Sequence, residues 1–174
     1  MPQSVILIPT PLADPVIGEW RRKYDQVVLH GIPSHITLLF PFKEPSKIND
    51  EVIQKLNKIF SNVKQFSFIL GKINTFPSVV FLEPNPREKF ITLTEKIVDI
   101  FPENPPWEGK YPSINPHTTI ANISDSKKID SLKFEIEAGI SKKLPIQCMA
   151  EEAWLMIEDE KGEWHPRHKF TFYS

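Results

Sequence analysis

The chain has 174 residues, 40% of them apolar and 25% charged, with a formal net charge of −1; these are the proportions of a globular chain long enough to bury a real core. Lysines and acids are interspersed, so no basic face for a long nucleic-acid track is expected, and no apolar run approaches a membrane span, so no membrane partner is expected either. The single Cys148 excludes an intrachain disulfide and Val5-Ile6-Leu7-Ile8 is too short for a secretory segment, which together favour a cytoplasmic location.

In chain order, Ser4 to Ile8 reads as a short strand ended by Pro9 and Pro11. Asp14, with Pro15 behind it, caps a helix running to about Val28. Ile36 to Phe40 is a strand closed by Pro41. Ser46 to about Phe60 is an amphipathic helix, with Ile48, Val52, Ile53, Leu56 and Ile59 at helical spacing. Phe66, Phe68 and Leu70 alternate as in a strand, and Val79 to Leu82 is another. Arg87 to Phe101 reads as a helix, and Pro102 to Pro116 as a proline-rich loop carrying Trp107 and Tyr111. Thr118 to Ile123 is a strand, Ser126 to about Ala138 a helix, and Met149 to Ile157 with Glu163 to Phe172 a hairpin around Asp159-Glu160-Lys161-Gly162.

One short motif occurs twice. Pro33-Ser34-His35-Ile36-Thr37-Leu38 and Asn115-Pro116-His117-Thr118-Thr119-Ile120 both read His, any residue, Thr, aliphatic. In a strand, residues two apart share a face, so His35 projects with Thr37 and His117 with Thr119. Composition alone gives two of five histidines the looser pattern His, any residue, Ser or Thr, apolar with a chance of roughly 2%. A pair of histidines can divide proton uptake and release between them. Threonine hydroxyls can donate to phosphate oxygens as charge builds on them. Thr118 faces the other way, where a buried hydroxyl needs a partner. Each motif strand is followed by a helix and a strand pair, a weak internal repeat that suggests two lobes facing each other across a cleft within one bilobal domain, residues 1–174. The six glycines are widely scattered, which argues against a glycine-rich phosphate loop, and there is no zinc-type spacing. No metal and no cofactor are expected.

The paired motifs resemble the two signature motifs of the 2H phosphoesterase superfamily, in its branch of 2′-5′ RNA ligase-like proteins and cyclic phosphodiesterases. His35-Ile36-Thr37-Leu38-Leu39-Phe40-Pro41-Phe42 resembles the first motif and its exit. Val80 to Pro84 is similar to the middle strand, Trp107 to Ala121 to the approach and second motif, and Trp154-Leu155 with Trp164 to Phe170 to the closing hairpin. The resemblance implies an α+β fold: two antiparallel sheets with outer helices and pseudo-two-fold symmetry around a central cleft. It implies metal-independent chemistry on a 2′,3′-cyclic or 2′-5′ phosphoester of a nucleotide or RNA end. Carried onto this chain it makes His35 and His117 the acid–base pair, with a lean towards His117 as base, and Thr37 and Thr119 the phosphate-orienting hydroxyls. Some members carry a basic residue after the second motif; here Ala121-Asn122 follows, so substrate charge is met elsewhere or is smaller.

Further candidates are Trp107 and Tyr111, which either stack a base at the cleft mouth or plug the surface of the core. Phe81 either faces the cleft or packs. Arg167, beside His165, His168 and Lys169, either binds phosphate or is solvated. A module that binds a nucleotide or RNA terminus without turnover is the alternative from another functional class. The physiological substrate, its base, hydrolysis versus ligation and the oligomeric state are not written in the sequence.

Overall fold

The computed structural model describes all 174 residues. Its elements are β1 (Ser4–Pro9), α1 (Asp14–Tyr24), β2 (His35–Leu39), α2 (Asp50–Phe60), β3 (Phe66–Phe76), β4 (Val79–Asn85), α3 (Glu88–Ile100), β5 (Thr118–Asn122), α4 (Ile129–Ile140), β6 (Ile146–Ala150), β7 (Glu152–Glu158) and β8 (Trp164–Thr171). The strands form two four-stranded sheets, in the orders β2-β1-β7-β8 and β5-β4-β3-β6, with every pairing antiparallel. This is the α+β architecture of two facing antiparallel sheets. No helix is long and apolar enough to cross a membrane.

The strands follow the period-two burial that their sequences prescribe. In β3, Phe66, Phe68 and Leu70 are buried while Ser67 is exposed. A register shift between Leu70 and Lys72, at Gly71, then moves the apolar phase so that Ile73 is buried. The amphipathic α2 buries Val52, Leu56 and Phe60, and Phe60 packs against Phe170 and Phe172 from the chain terminus.

Several boundaries differ from the sequence expectation, three of them as follows. Helix α1 ends at Tyr24, because Asp25 is extended (φ −123°) and residues 26–30 tighten into a 3-10 turn closed by Gly31 at φ 95°. Helix α2 starts at Asp50, because the Asn49 side chain accepts the Val52 N–H at 3.0 Å and caps it there. The C-terminal segment is three strands, β6, β7 and β8, and β6 joins the second sheet through β3.

The repeat also differs from the one the sequence suggests. The matching units are strand, helix, motif strand: β1-α1-β2 and β4-α3-β5. In each, a central strand leads through a helix to the edge strand beside it. The helix does not stay behind its own sheet. Helix α1 packs on β5 and helix α3 packs on β2, so each lies against the motif strand of the opposite lobe. Strands β7 and β8, from the last quarter of the chain, complete the sheet begun by β1 and β2. The lobes are therefore interleaved along the chain and are not its two halves.

Candidate active site

Strands β2 and β5 are edge strands of different sheets, and their Cα atoms approach within 8 Å. Alternation turns Ile36, Leu38, Thr118 and Ile120 inward, all buried, and leaves His35, Thr37, His117 and Thr119 half-buried on the other face. The two imidazoles are held identically. His35 Nδ1–H donates to the Pro33 carbonyl and His117 Nδ1–H to the Asn115 carbonyl, each at 2.7 Å. A carbonyl only accepts, so Nδ1 carries the hydrogen and Nε2 is the nitrogen left for a ligand in both rings. The carbonyl lies two residues before each histidine, which is where the proline–polar pairs stand in the sequence.

Thr118 carries the cost foreseen for an inward hydroxyl: it is fully buried and its Oγ1 has no hydrogen-bond partner. Thr118→Val keeps the β-branched shape and removes the orphaned group. We expect it to be neutral or to stabilise by about 1 kcal/mol in denaturant unfolding; a loss of stability would show that the hydroxyl is satisfied in solution.

Burial lowers both imidazoles from their ordinary value. His35 is pushed down to about 4, chiefly by desolvation, with the Arg21 and His117 charges acting in the same direction and the Pro33 carbonyl opposing. His117 is lowered by desolvation, opposed by its bond to Asn115. Its ring sits edge-on to Phe76 (5.1 Å between centroids) and tilted against Phe81 (5.2 Å). The cation near His35 is itself buried. Arg21 is 3% exposed, bonds the Asp25 carboxylate through Nε and Nη2 at 3.3 and 3.2 Å, and donates from Nη2 to the Ile32 carbonyl at 3.3 Å. It thus pins the segment leading into His35. The i, i+4 pairing of Arg21 with Asp25 was its only trace in the sequence.

A crevice of about 660 Å³ opens beside the pair. Thr37 and His117 are among its lining residues; His35 and Thr119 are not. One wall is a stripe of α3 with Arg87 before it: Ile91, Glu95, Val98 and Asp99. The other is the loop 105–117, which includes Trp107 and Tyr111. Trp107 N–H donates to the Phe40 carbonyl at 2.6 Å, and its ring meets Phe40 edge to face at 5.3 Å. Trp107, Glu108 and Gly109 are all left-handed (φ 52°, 55° and 73°). For the two non-glycine residues that conformation costs of order 1–3 kcal/mol each. Arg87 ties the loop to α3, donating to Ile114 O and Asn115 Oδ1 at 3.3 and 3.0 Å. Neither Arg87 nor Phe40 was marked as a site residue by the sequence, because both act across long sequence separations.

Of the further candidates, Trp107 and Tyr111 reach the crevice, 38% and 64% exposed. Phe81 does not offer a free face: it is 3% exposed and backs His117 and Phe76. Arg167 is exposed on β8, the edge opposite β2, three strand spacings or roughly 14 Å away. The sheet order, invisible in the sequence, separates it from the motifs. No group of three or more His, Cys, Asp or Glu side chains is placed to hold a metal ion.

The chain matches the family model of the 2′-5′ RNA ligase superfamily over residues 8–162. It is 26% identical over 172 residues to a Bacillus pumilus protein named "Putative phosphoesterase", covering 94% of this chain and 93% of that one. A Bacillus cytotoxicus protein of similar name is 25% identical over 168 residues, covering 91% of this chain and 95% of that one. Among solved structures, E. coli LigT complexed with 3′-AMP superposes with a TM-score of 0.63 at 16% identity over the whole of both chains. The Thermus thermophilus protein TT0787 gives 0.63 at 16% identity, over 98% of this chain and 97% of that one. At these identities the two structures speak to the fold.

Proposed function

Since the chain belongs to the 2′-5′ RNA ligase superfamily of 2H phosphoesterases, enzymes of phosphoester chemistry, we propose that it is a metal-independent phosphodiesterase acting on a 2′,3′-cyclic or 2′-5′ phosphoester of a nucleotide or RNA end. The observation that carries this reading is the matched pair of imidazoles on adjoining edge strands, each with Nδ1 committed to a backbone carbonyl and Nε2 free. LigT has been crystallised with 3′-AMP, ATP and NADP+, which supports a nucleotide as the ligand class.

In the hydrolysis of a 2′,3′-cyclic phosphate, a water oxygen bonds to phosphorus and the bond from phosphorus to the ribose 3′ oxygen breaks. One Nε2 takes the water proton and the other Nε2–H gives its proton to the leaving oxygen, so a 2′-phosphate forms with the proton count unchanged. Thr37 and Thr119 donate to the non-bridging oxygens. We assign the base to His35, because the nearby Arg21 charge opposes protonation there. The acid is His117, where no neighbouring cation opposes protonation and the Asn115 carbonyl favours it against desolvation. This reverses the lean taken from the family resemblance. In the free protein both groups lie below their ordinary value, so the anionic substrate must raise the acid as it binds.

Two results are expected. Turnover of 2′,3′-cyclic nucleotides survives a chelator. The pH profile of kcat/KM is bell-shaped, rising as His35 deprotonates near 4 and falling as His117 loses its proton below the ordinary histidine value of about 6.5. Binding without turnover across cyclic nucleotides and 2′-5′ oligomers would overturn the reading in favour of a non-catalytic module.

A further inference from the structure

The crevice has a charge pattern unexpected for a site that takes a phosphoester. Its α3 wall presents two carboxylates, Glu95 and Asp99, one helical turn apart and both exposed, and neither joins any of the molecule's ion pairs. Apart from His117 at the motif, the cationic side chain in the lining is Arg87, whose Nη2 donates to Ile114 O and Asn115 Oδ1. From Ile91 to Asp99 the stripe runs about 12 Å, comparable with the length of one nucleoside. Trp107 and Tyr111 stand across from it, their rings edge to face at 6.3 Å. A wall of acceptors facing aromatic rings suits a flat group that carries hydrogen-bond donors on its edge, and it disfavours a second phosphate.

Resting on the nucleotide reading above, we infer that this crevice is a base-binding subsite selective for guanine, in which an aromatic ring of the loop 105–117 stacks the base and Glu95, with Asp99 behind it, accepts from the base edge. An ionised carboxylate only accepts. Guanine presents adjacent N1–H and N2–H donors, which one carboxylate can take as a pair. Adenine and cytosine present an amino group beside a ring nitrogen that is itself an acceptor, and uracil presents one N–H between two carbonyls. The expected order is guanine first, adenine and cytosine next, uracil last. The Ala121-Asn122 pair after the second motif fits the same picture, since a substrate with one phosphate needs no extra cation there.

The test is calorimetric binding of the four nucleoside 2′-monophosphates, with turnover of the four 2′,3′-cyclic nucleotides measured in parallel. A hydrogen bond to a charged group should separate guanosine from uridine by about tenfold or more in Kd. The double variant Glu95→Ala/Asp99→Ala should bring that ratio towards one. Both positions are exposed on a helix, where alanine is well tolerated, and an unchanged Tm would confirm that the fold persists. Equal affinities in the wild type, or a ratio that survives the double variant, would overturn the guanine subsite. Turnover of all four cyclic nucleotides with equal affinities would do so while leaving the phosphodiesterase standing. A guanine preference in a protein that turns over none would keep the subsite and remove the phosphodiesterase.

Discussion

Alanine at either His35 or His117 is expected to lower turnover of a 2′,3′-cyclic nucleotide by roughly 10²–10⁴-fold, the range for losing a positioned proton-transfer group. The losses should not add. The two groups act in one transfer, so the double variant should be little worse than the more damaged single one. Folding should be largely spared: both rings are half-buried, and neither belongs to the apolar cluster that fills the core. The checks are initial rates under saturating and limiting substrate, together with the thermal midpoint of each variant. Undiminished turnover in a folded variant of either histidine would remove the two-histidine mechanism. A rise in KM alone would make that histidine a binding group and not a proton carrier.

The second large effect is one of stability. Arg21→Met should destabilise by about 3–5 kcal/mol, because it strands the Asp25 carboxylate in the interior; for a chain of this length that is a fall in Tm of roughly 6–20 °C. Asp25 is 4% exposed, and burial already raises its pKa against the lowering effect of Arg21. Without Arg21 that rise is larger. A carboxyl whose folded pKa lies above its unfolded value stabilises below the unfolded value, near 3.9, and loses that contribution as pH rises through the folded one. The variant should therefore be penalised more at pH 7 than at pH 4, and adding Asp25→Asn should recover much of the loss at pH 7. Denaturant melts at the two pH values test this. A penalty independent of pH would mean that Asp25 is not the group left exposed to the cost. Because Arg21 also pins Ile32, the surviving folded enzyme should show a lower kcat.

The motif strands were legible because their information is local: a proline, a period of two, and a histidine paired with a threonine. So were α2, with its clean apolar stripe, and the inward Thr118. What surrounds the motifs was not. Whether β7 pairs with β1 or continues the β6 neighbourhood is decided by contacts about 150 residues apart, such as Ile6 with Leu155, and alternation alone cannot choose a partner. The same gap hid the distance between Arg167 and the motifs. Trp107 and Tyr111 could be read either as stacking a base or as plugging the core, since their exposure depends on three successive left-handed residues, of which only Gly109 announces the conformation. Arg21 was hidden by its type: a charged residue on a helix is ordinarily solvated, and here it is buried among Asp25, Asp14 and a backbone carbonyl.

The exchange of helices between the lobes turns the cleft into a caliper with fixed jaws. For the histidine strands to part, α1 would have to leave β5 and α3 would have to leave β2, because each helix is tethered at both ends to its own sheet and would move with it. Opening by hinge motion would thus break two helix–strand contacts at once. Variation in what the cleft admits then falls to loops at its rim such as 105–117, while the spacing of the two histidine strands stays fixed.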